Sequence, residues 1–330
     1  MSQRLAALDL GSNSFHLLVA ERVHGGRIRR VTTRKITLRL AEPVARDGNL
    51  GKPLRTRAAA AVADLLQHAV DHRAEMVVTL ATEALRHAGD GPKLLEALAR
   101  DQGLAVRIIA GLDEAALSLR AMVEALALED GQRLLGFDLG GGSLEAAYGT
   151  RDGMRDGISL PLGSARLRTR FDHDPLWLSE RGDLRAEALA LLAPLVEKVR
   201  TDEDLSSGRA RLRAAGTAGT IRDLGRAALA QASGATPQHV RGLVVTRSQL
   251  EVSYARLASM TTSERMELPG VSSKRADLLP VGGVVLLAAM EAFGLDQLQL
   301  CDWGLREGAL LDAIGDERVV GLGDFTHLGG

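Results

Sequence analysis

Two segments 129 residues apart carry the same pattern, DLGSNSFH at 9–16 and DLGGGSLE at 138–145. Asp, Leu, Gly and a later Ser coincide. An apolar run fit for a buried strand precedes each segment, and another follows it: LAALDL and FHLLVAERV around the first, LLGFDL and EAAYG around the second. Three consecutive glycines, Gly140, Gly141 and Gly142, suit neither a helix nor a strand interior. Each segment therefore reads as strand, turn, strand. The repetition predicts a duplicated domain, its two glycine turns facing each other across a cleft. A third glycine turn, AAGTAGT at 214–220, leads into a helix.

The rest of the chain fits that frame. TRAAAAVADLLQHAVDHR (56–73) has helical composition and apolar spacing, and EMVVTLAT reads as a strand ending at Thr82. Gly103 is a plausible helix stop, and Thr246 with Gln249 forms a capping-box start. RAEALALLAPLVEKVR reads as a helix despite Pro194, and 154–167 as one or two strands. Strands and helices alternate after an opening run of strands, an α/β pattern with two sheets. A length of 330 residues suits two domains. The single cysteine, Cys301, excludes an intrachain disulfide framework and fits the cytoplasm. A net charge of −1 gives no bulk attraction to nucleic acid or membrane. Neither a signal peptide nor a membrane-spanning run is expected.

The turns suggest anion binding. Without a Cβ, backbone N–H groups come close to a ligand. Asp9 and Asp138 end their strands beside the turns and would repel phosphate unless a cation intervened. They imply Mg²⁺ or a similar hard ion, held through water. The alternative for any one turn is a plain hairpin. No GxxxxGK[ST] motif is present. Between Arg22 and Arg57, eleven Lys or Arg stand against Glu42 and Asp47, so this stretch is either a solvated strand face or a track for a polyanion.

Taken in order, AALDLGSNSFHLLVAE, ATEALRHAGD, AGLDEA, FDLGGGSLE, SLPLGSARL, GTAGTIRDLG and WGLREGALLDAI resemble the Ppx/GppA phosphatases. These are exopolyphosphatases and guanosine pentaphosphate phosphohydrolases. The resemblance implies two actin-like (ribonuclease H-like) α/β domains with an interdomain cleft. It places domain I at 1–128 and domain II at 129–302. Residues 303–315 would be a helix packing back on domain I, with a loose tail at 316–330. It implies a short form without the family's C-terminal helical region, and a cytoplasmic homodimer.

The resemblance also implies roles. Glu114 would be the general base that polarises the attacking water. Glu145 would act on the metal or the water, and Asp138 and Asp9 on Mg²⁺ (or Mn²⁺). Gly11, Ser12, Asn13, Ser14, Gly140, Gly141, Gly142 and Ser143 would cradle phosphate, with Gly216, Thr217, Gly219 and Thr220 from the third turn. Arg86 would grip phosphate through a charge-assisted fork. Arg275 and Arg306 are weaker candidates that also fit structural ion pairs, and His16 reads as a strand residue. Leu144 replaces the family's Thr, which removes a hydroxyl expected near the phosphates. Ala110-Gly111 replaces Ser-Gly, and Asp90 a frequent Asn. The implied substrate is inorganic polyphosphate or guanosine pentaphosphate (pppGpp). A kinase of the same fold and a (p)ppGpp-binding sensor are the competing readings.

Overall fold

The computed structural model describes residues 3–23, 27–314 and 326–328. The chain divides into two compact units, Met1–Ala121 with Leu305–Gly330, and Met122–Gly304. In the first, β1 (Arg4–Leu10), β2 (Ser14–Val23) and β3 (Arg27–Thr37) form an antiparallel meander. Helices α1 (Ala41–Asp47) and α2 (Lys52–Asp71) lead to β4 (Met76–Ala81), parallel to β1. Helices α3 (Glu83–His87) and α4 (Gly91–Gln102) lead to β5 (Val106–Ile108), parallel to β4. The sheet order is β3-β2-β1-β4-β5. Helix α2 is alanine-rich with proline at its start, and it buries Ala58, Ala61, Val62, Leu65 and Ala69 along one stripe. That stripe joins Leu8, Leu10, Phe15 and Leu17 in one core. Gly103 ends α4 in the left-handed region, as its position in the sequence suggests. Helix α5 (Gly111–Ala125) contains the boundary between the units.

The second unit repeats the plan. Its meander is β6 (Gln132–Leu139), β7 (Leu144–Thr150) and β8 (Gly153–Leu160). Helices α6 (Ser164–Arg168), α7 (Leu178–Arg200) and α8 (Glu203–Ser206) precede β9 (Arg211–Thr217), parallel to β6. Then come α9 (Ala218–Ser233), β10 (Val244–Thr246), α10 (Arg247–Ser259), α11 (Thr262–Met266), α12 (Leu279–Ala292) and β11 (Gln297–Leu300), parallel to β9. The order β8-β7-β6-β9-β11 matches the first sheet, with β10 added at the edge. The repeat holds in register. Asp9 faces His16 and Leu10 faces Phe15, and 129 residues on, Asp138 faces Glu145 and Leu139 faces Leu144. This is the actin-like, ribonuclease H-like topology, present twice. Thr246 and Gln249 make the reciprocal capping bonds at α10, and Pro194 lies inside α7. Residues 154–167 supply one strand, within the one or two expected, and then α6.

The chain closes on the first unit with α13 (Leu305–Ile314) and β12 (Thr326–His327). Helix α13 packs against β1 and comes close to α5. A Cβ at Gly308 would lie 2.0 Å from the Leu117 carbonyl oxygen, so only glycine permits this approach. Glu307, fully buried on α13, pairs with Arg30 at 2.7 Å, and buried Asp312 with Arg120 at 3.4 Å. Gly308→Ala should therefore destabilise the protein by about 3 kcal/mol, because the clash is with backbone and no side chain can yield. A denaturant midpoint unchanged from wild type would refute this packing. The loose tail expected at 316–330 needs correction at its end. Thr326 and His327 pair antiparallel with β4, gaining backbone bonds on that strand's outer edge; residues 315–325 and 329–330 lie outside the described residues. Among the described residues, no helix is long and apolar enough to cross a membrane.

Candidate active site

In the second unit the site grows from the β6–β7 turn. Asp138 and Glu145 are cross-strand partners, so their side chains share one face of the sheet. Glu145 is buried, and Ser159 on β8 donates to its Oε1 at 2.7 Å. Leu144, one residue away, points to the other face and lies fully inside the core. A residue at this position therefore faces the core rather than the face that carries Asp138 and Glu145.

The turn itself is held by its carbonyls. Ser164 N donates to Gly140 O at 3.0 Å, and Ala165 N and Arg166 N both donate to Gly141 O at 2.9 Å. Gly140 N closes the turn on Ser143 O at 3.0 Å. The Gly141, Gly142 and Ser143 amides take no part in these bonds. The turn's carbonyls are thus tied to the start of α6. Gly163 seats the brace: a Cβ there would lie 2.1 Å from Gly142 C and 2.2 Å from Ser143 N. The segment SLPLGSARL thus positions both Glu145 and the glycine turn. Its members Ser159, Gly163 and Ser164 were not singled out from the sequence, because their partners lie 14 to 24 residues away across the fold.

The first unit holds the matching turn in the same way. Leu38 N and Arg39 N donate to Asn13 O at 3.0 and 2.9 Å, and Ala41 N donates to Ser12 O at 2.8 Å. In both units the chain leaving the third strand of the meander takes up the turn's carbonyls. Side chains here differ from expectation. Ser12 Oγ donates to buried Glu83 Oε2 at 3.2 Å and accepts from Ala84 N at 3.1 Å, so it fixes the start of α3. Ser14 Oγ bonds Thr37 Oγ1 at 3.4 Å. The Asn13 Oδ1 atom is buried and has no hydrogen-bond partner among the described residues. Such an atom calls for a partner outside the chain.

Glu114 sits in the first turn of α5, buried, with Arg86 Nη1 at 3.0 Å from its Oε1. Arg86 is held in turn by the Ile109 carbonyl. The pair brings together the proposed base and the proposed phosphate grip. Asp90 has a structural job. It accepts from Leu50 N at 2.7 Å and Gly51 N at 2.9 Å and pairs with Arg55. Burial pushes its carboxyl upward, but these donors hold it below the usual range.

The third turn is used mainly for packing. Thr217 Oγ1 donates to Trp303 O at 2.7 Å, and Thr220 Oγ1 bonds Ser164 Oγ at 3.1 Å. Gly216 lies against Ile221 and Leu298, and Gly219 against the Arg275 guanidinium. Arg275 forks buried Asp223 at 2.9 and 3.0 Å, which makes it a structural ion-pair partner. Ala218 between these glycines adopts φ 68°, a costly conformation for a residue with a Cβ. The Trp303–Gly304 chain passes beside both Thr217 and Asp138.

The arginine-rich stretch is largely neutralised. At least six of its eleven cations pair with carboxylates: Arg29 with Glu21, Arg30 with Glu307, Arg34 with Asp64, Arg39 with Glu42, Arg46 with Asp47 and Arg55 with Asp90. Four of these acids lie outside the stretch, so a count along the sequence overstates its charge. Strand β3 is the edge of its sheet, where charged side chains also guard against edge pairing. The solvated-face reading accounts for most of this charge.

Asp138 and Glu145 offer two hard carboxylates on one face, the protein share that Mg²⁺ ordinarily takes. Asp9 holds the equivalent place in the other unit. A separate group, Asp172, His173 and Glu180, is the one set of three potential ligands close together among the described residues.

A family model described as the Ppx/GppA phosphatase family matches residues 18–317. Exopolyphosphatase 1 of Mycobacterium leprae is 31% identical over 317 residues, covering 95% of this chain and 90% of that protein. Its counterpart from Mycobacterium tuberculosis is 33% identical, covering 95% and 89%. A guanosine-5'-triphosphate,3'-diphosphate pyrophosphatase of Aeromonas salmonicida is 27% identical over 97% of this chain and 61% of its own length. Among solved structures, an exopolyphosphatase from Cytophaga hutchinsonii superposes with a TM-score of 0.85 at 22% identity, covering 94% of this chain and 98% of that one. The Aquifex aeolicus PPX-GPPA enzyme does so at 0.76 with 28% identity, covering 94% and 99%. Sequence and fold thus agree along nearly the whole chain, and it belongs to the Ppx/GppA phosphatase family.

Proposed function

We propose that this protein is an exopolyphosphatase that releases orthophosphate from the end of inorganic polyphosphate. The observation that carries the reading is the match to exopolyphosphatases at 31–33% identity over 95% of the chain. Glu114, Asp138 and Glu145 are all present. In this reading Glu114 takes a proton from water as its oxygen attacks the terminal phosphorus. The new P–O bond forms while the bridging P–O bond breaks, and the shortened chain leaves with the bonding electrons. No covalent phosphoenzyme is formed. Arg86 holds Glu114 in place and offers charge to the phosphate. The Gly141, Gly142 and Ser143 amides supply fixed donors at no reorganisation cost. Asp138 and Glu145 would hold Mg²⁺ or Mn²⁺, which when bound neutralises phosphate charge. The same reading takes the enzyme as a cytoplasmic homodimer.

Hydrolysis of pppGpp at the same site is the second reading, favoured by the similarity to the Aeromonas pyrophosphatase. Phosphate release from long-chain polyphosphate and from pppGpp, measured side by side with Mg²⁺, decides between them. Polyphosphate turnover is expected to dominate, and chelation by EDTA to abolish it. Turnover of pppGpp alone would move the assignment, and turnover of neither would leave a kinase or a sensor. Because the basic stretch is mostly ion-paired, replacing its exposed Arg34, which pairs with Asp64, with Ser should change kcat/KM for long chains by less than about twofold. A large loss confined to long chains would restore the polyanion track.

A further inference from the structure

Helix α3 is short, Glu83–His87, and both of its ends are bonded to candidate site residues. At its start, Thr82 in the capping position makes no side-chain capping bond. Ser12 of the first glycine turn supplies that bond from outside, accepting from Ala84 N at 3.1 Å. The Ser12 hydroxyl proton goes to Glu83 Oε2 at 3.2 Å. Two bonds of opposite sense thus join one hydroxyl to adjacent residues of α3, and they fix both the place of the helix and its rotation about its axis. At its end α3 carries Arg86, which bonds the Ile109 carbonyl and Glu114 Oε1, the latter at 3.0 Å. Glu83 and Arg86 are three residues apart, so they lie on one side of the helix.

An acid at position 83 needs a reason. It is buried, and burying a carboxylate is costly unless it is bonded. The internal repeat supplies a comparison. The second unit has Gly141 where the first has Ser12, and Ala218 follows Thr217 where Glu83 follows Thr82. Neither side chain of the link exists there, and the start of α9 is tied instead through Thr220 to Ser164. The link belongs to the unit that holds Glu114 and Arg86. His87, more exposed, bonds the Glu83 carbonyl oxygen through Nδ1 at 2.9 Å and lies 3.4 Å from Glu83 Oε1. The carboxylate is therefore held between Ser12 on its inner side and His87 on its solvent side.

We propose that Glu83 is a positioning residue for phosphoanhydride hydrolysis: it docks α3 on the first glycine turn through Ser12, and so sets where Arg86 holds Glu114 against a phosphate on that turn. The inference rests on the reading of Glu114 as the general base. Without the carboxylate, α3 keeps only the Ala84 bond to Ser12 and can turn about it. Arg86 then moves with the helix, and Glu114 follows. A shift of about 1 Å at a group that must meet the reacting atoms costs on the order of 10²-fold in rate. Glu83 itself touches neither the water nor the phosphate; it acts through Arg86.

The test is turnover per folded molecule, on whichever of polyphosphate and pppGpp the enzyme hydrolyses, for Glu83→Ala and Glu83→Gln in the wild-type and Glu114→Gln backgrounds. Glu83→Ala should lower kcat at least about tenfold and change KM less than about threefold. Glu83→Gln keeps an oxygen that accepts from Ser12 and should stay within about threefold of wild type. In the Glu114→Gln background, Glu83→Ala should lower the residual rate less than about threefold, because the group it positions is gone. If Glu83→Ala does not fold, Glu83→Asp, too short to reach Ser12, takes its place with the same expectation. A purely structural role would lower the melting temperature without this pattern. The inference is overturned if Glu83→Ala turns over within about threefold of wild type, if Glu83→Gln falls as far as Glu83→Ala, or if Glu83→Ala costs the same factor in both backgrounds. Near-normal turnover of Glu114→Gln would sink the base reading and this inference together. Its collapse beside an unaffected Glu83→Ala would sink this inference alone.

Discussion

Glu114→Gln should lower phosphate release by about 10²–10⁴-fold, the usual share of a positioned general base, and leave the fold intact. Glutamine keeps the shape of the side chain, and its carbonyl can still accept from Arg86, so the 3.0 Å contact has a neutral substitute. What is lost is the proton acceptor. The bland alternative is that Glu114 merely favours the helix N-terminus, as acids in a first turn often do. The two roles differ in readout. A dipole role predicts a small stability loss and near-normal turnover. A base role predicts near-normal stability and a collapse of kcat with little change in KM. Single-turnover assays with a denaturation curve on the same sample separate them. Turnover within threefold of wild type would sink the assignment.

The repeat was the most legible feature of the chain. Asp9 and Asp138 were visible as equivalents because local geometry ties an aspartate, a glycine turn and a returning strand within eight residues. The register of both hairpins follows from that short spacing. Glu114 and Arg86 were legible as residues only through the family resemblance, and their contact spans 28 positions. What could not be read was anything set by packing across the sheet. Leu144 lies next to Glu145 in a string of letters, yet the strand alternation places the two on opposite faces. The bonds that the Ser12, Thr217 and Thr220 hydroxyls make to distant buried neighbours are equally invisible in the sequence. The charge of residues 22–57 leaves a solvated face and a polyanion track open in the sequence for the same reason. Asp64, Asp90 and Glu307 neutralise it from distant positions.

Gly163→Ala tests whether the carbonyl brace matters to the chemistry. The new Cβ would meet only backbone, at 2.1 Å from Gly142 C and 2.2 Å from Ser143 N, so the glycine turn itself must move. A displacement of about 1 Å at groups that position a reacting phosphate costs on the order of 10²-fold in rate. Overpacking should lower stability by about 1–3 kcal/mol. Gly182→Ala is the control, since nothing lies within 4 Å of its Cβ position in α7. That change should add about 0.5–1 kcal/mol of helix stability and leave turnover alone. Ser159→Ala gives an intermediate case. It removes the 2.7 Å bond to Glu145 without moving the turn, and should cost about tenfold in kcat. If Gly163→Ala folds and turns over like wild type, the glycine turn does not bind the reacting phosphate, and the anion-binding role would have to fall to the turn of the first unit, where Asn13 is left with unused capacity.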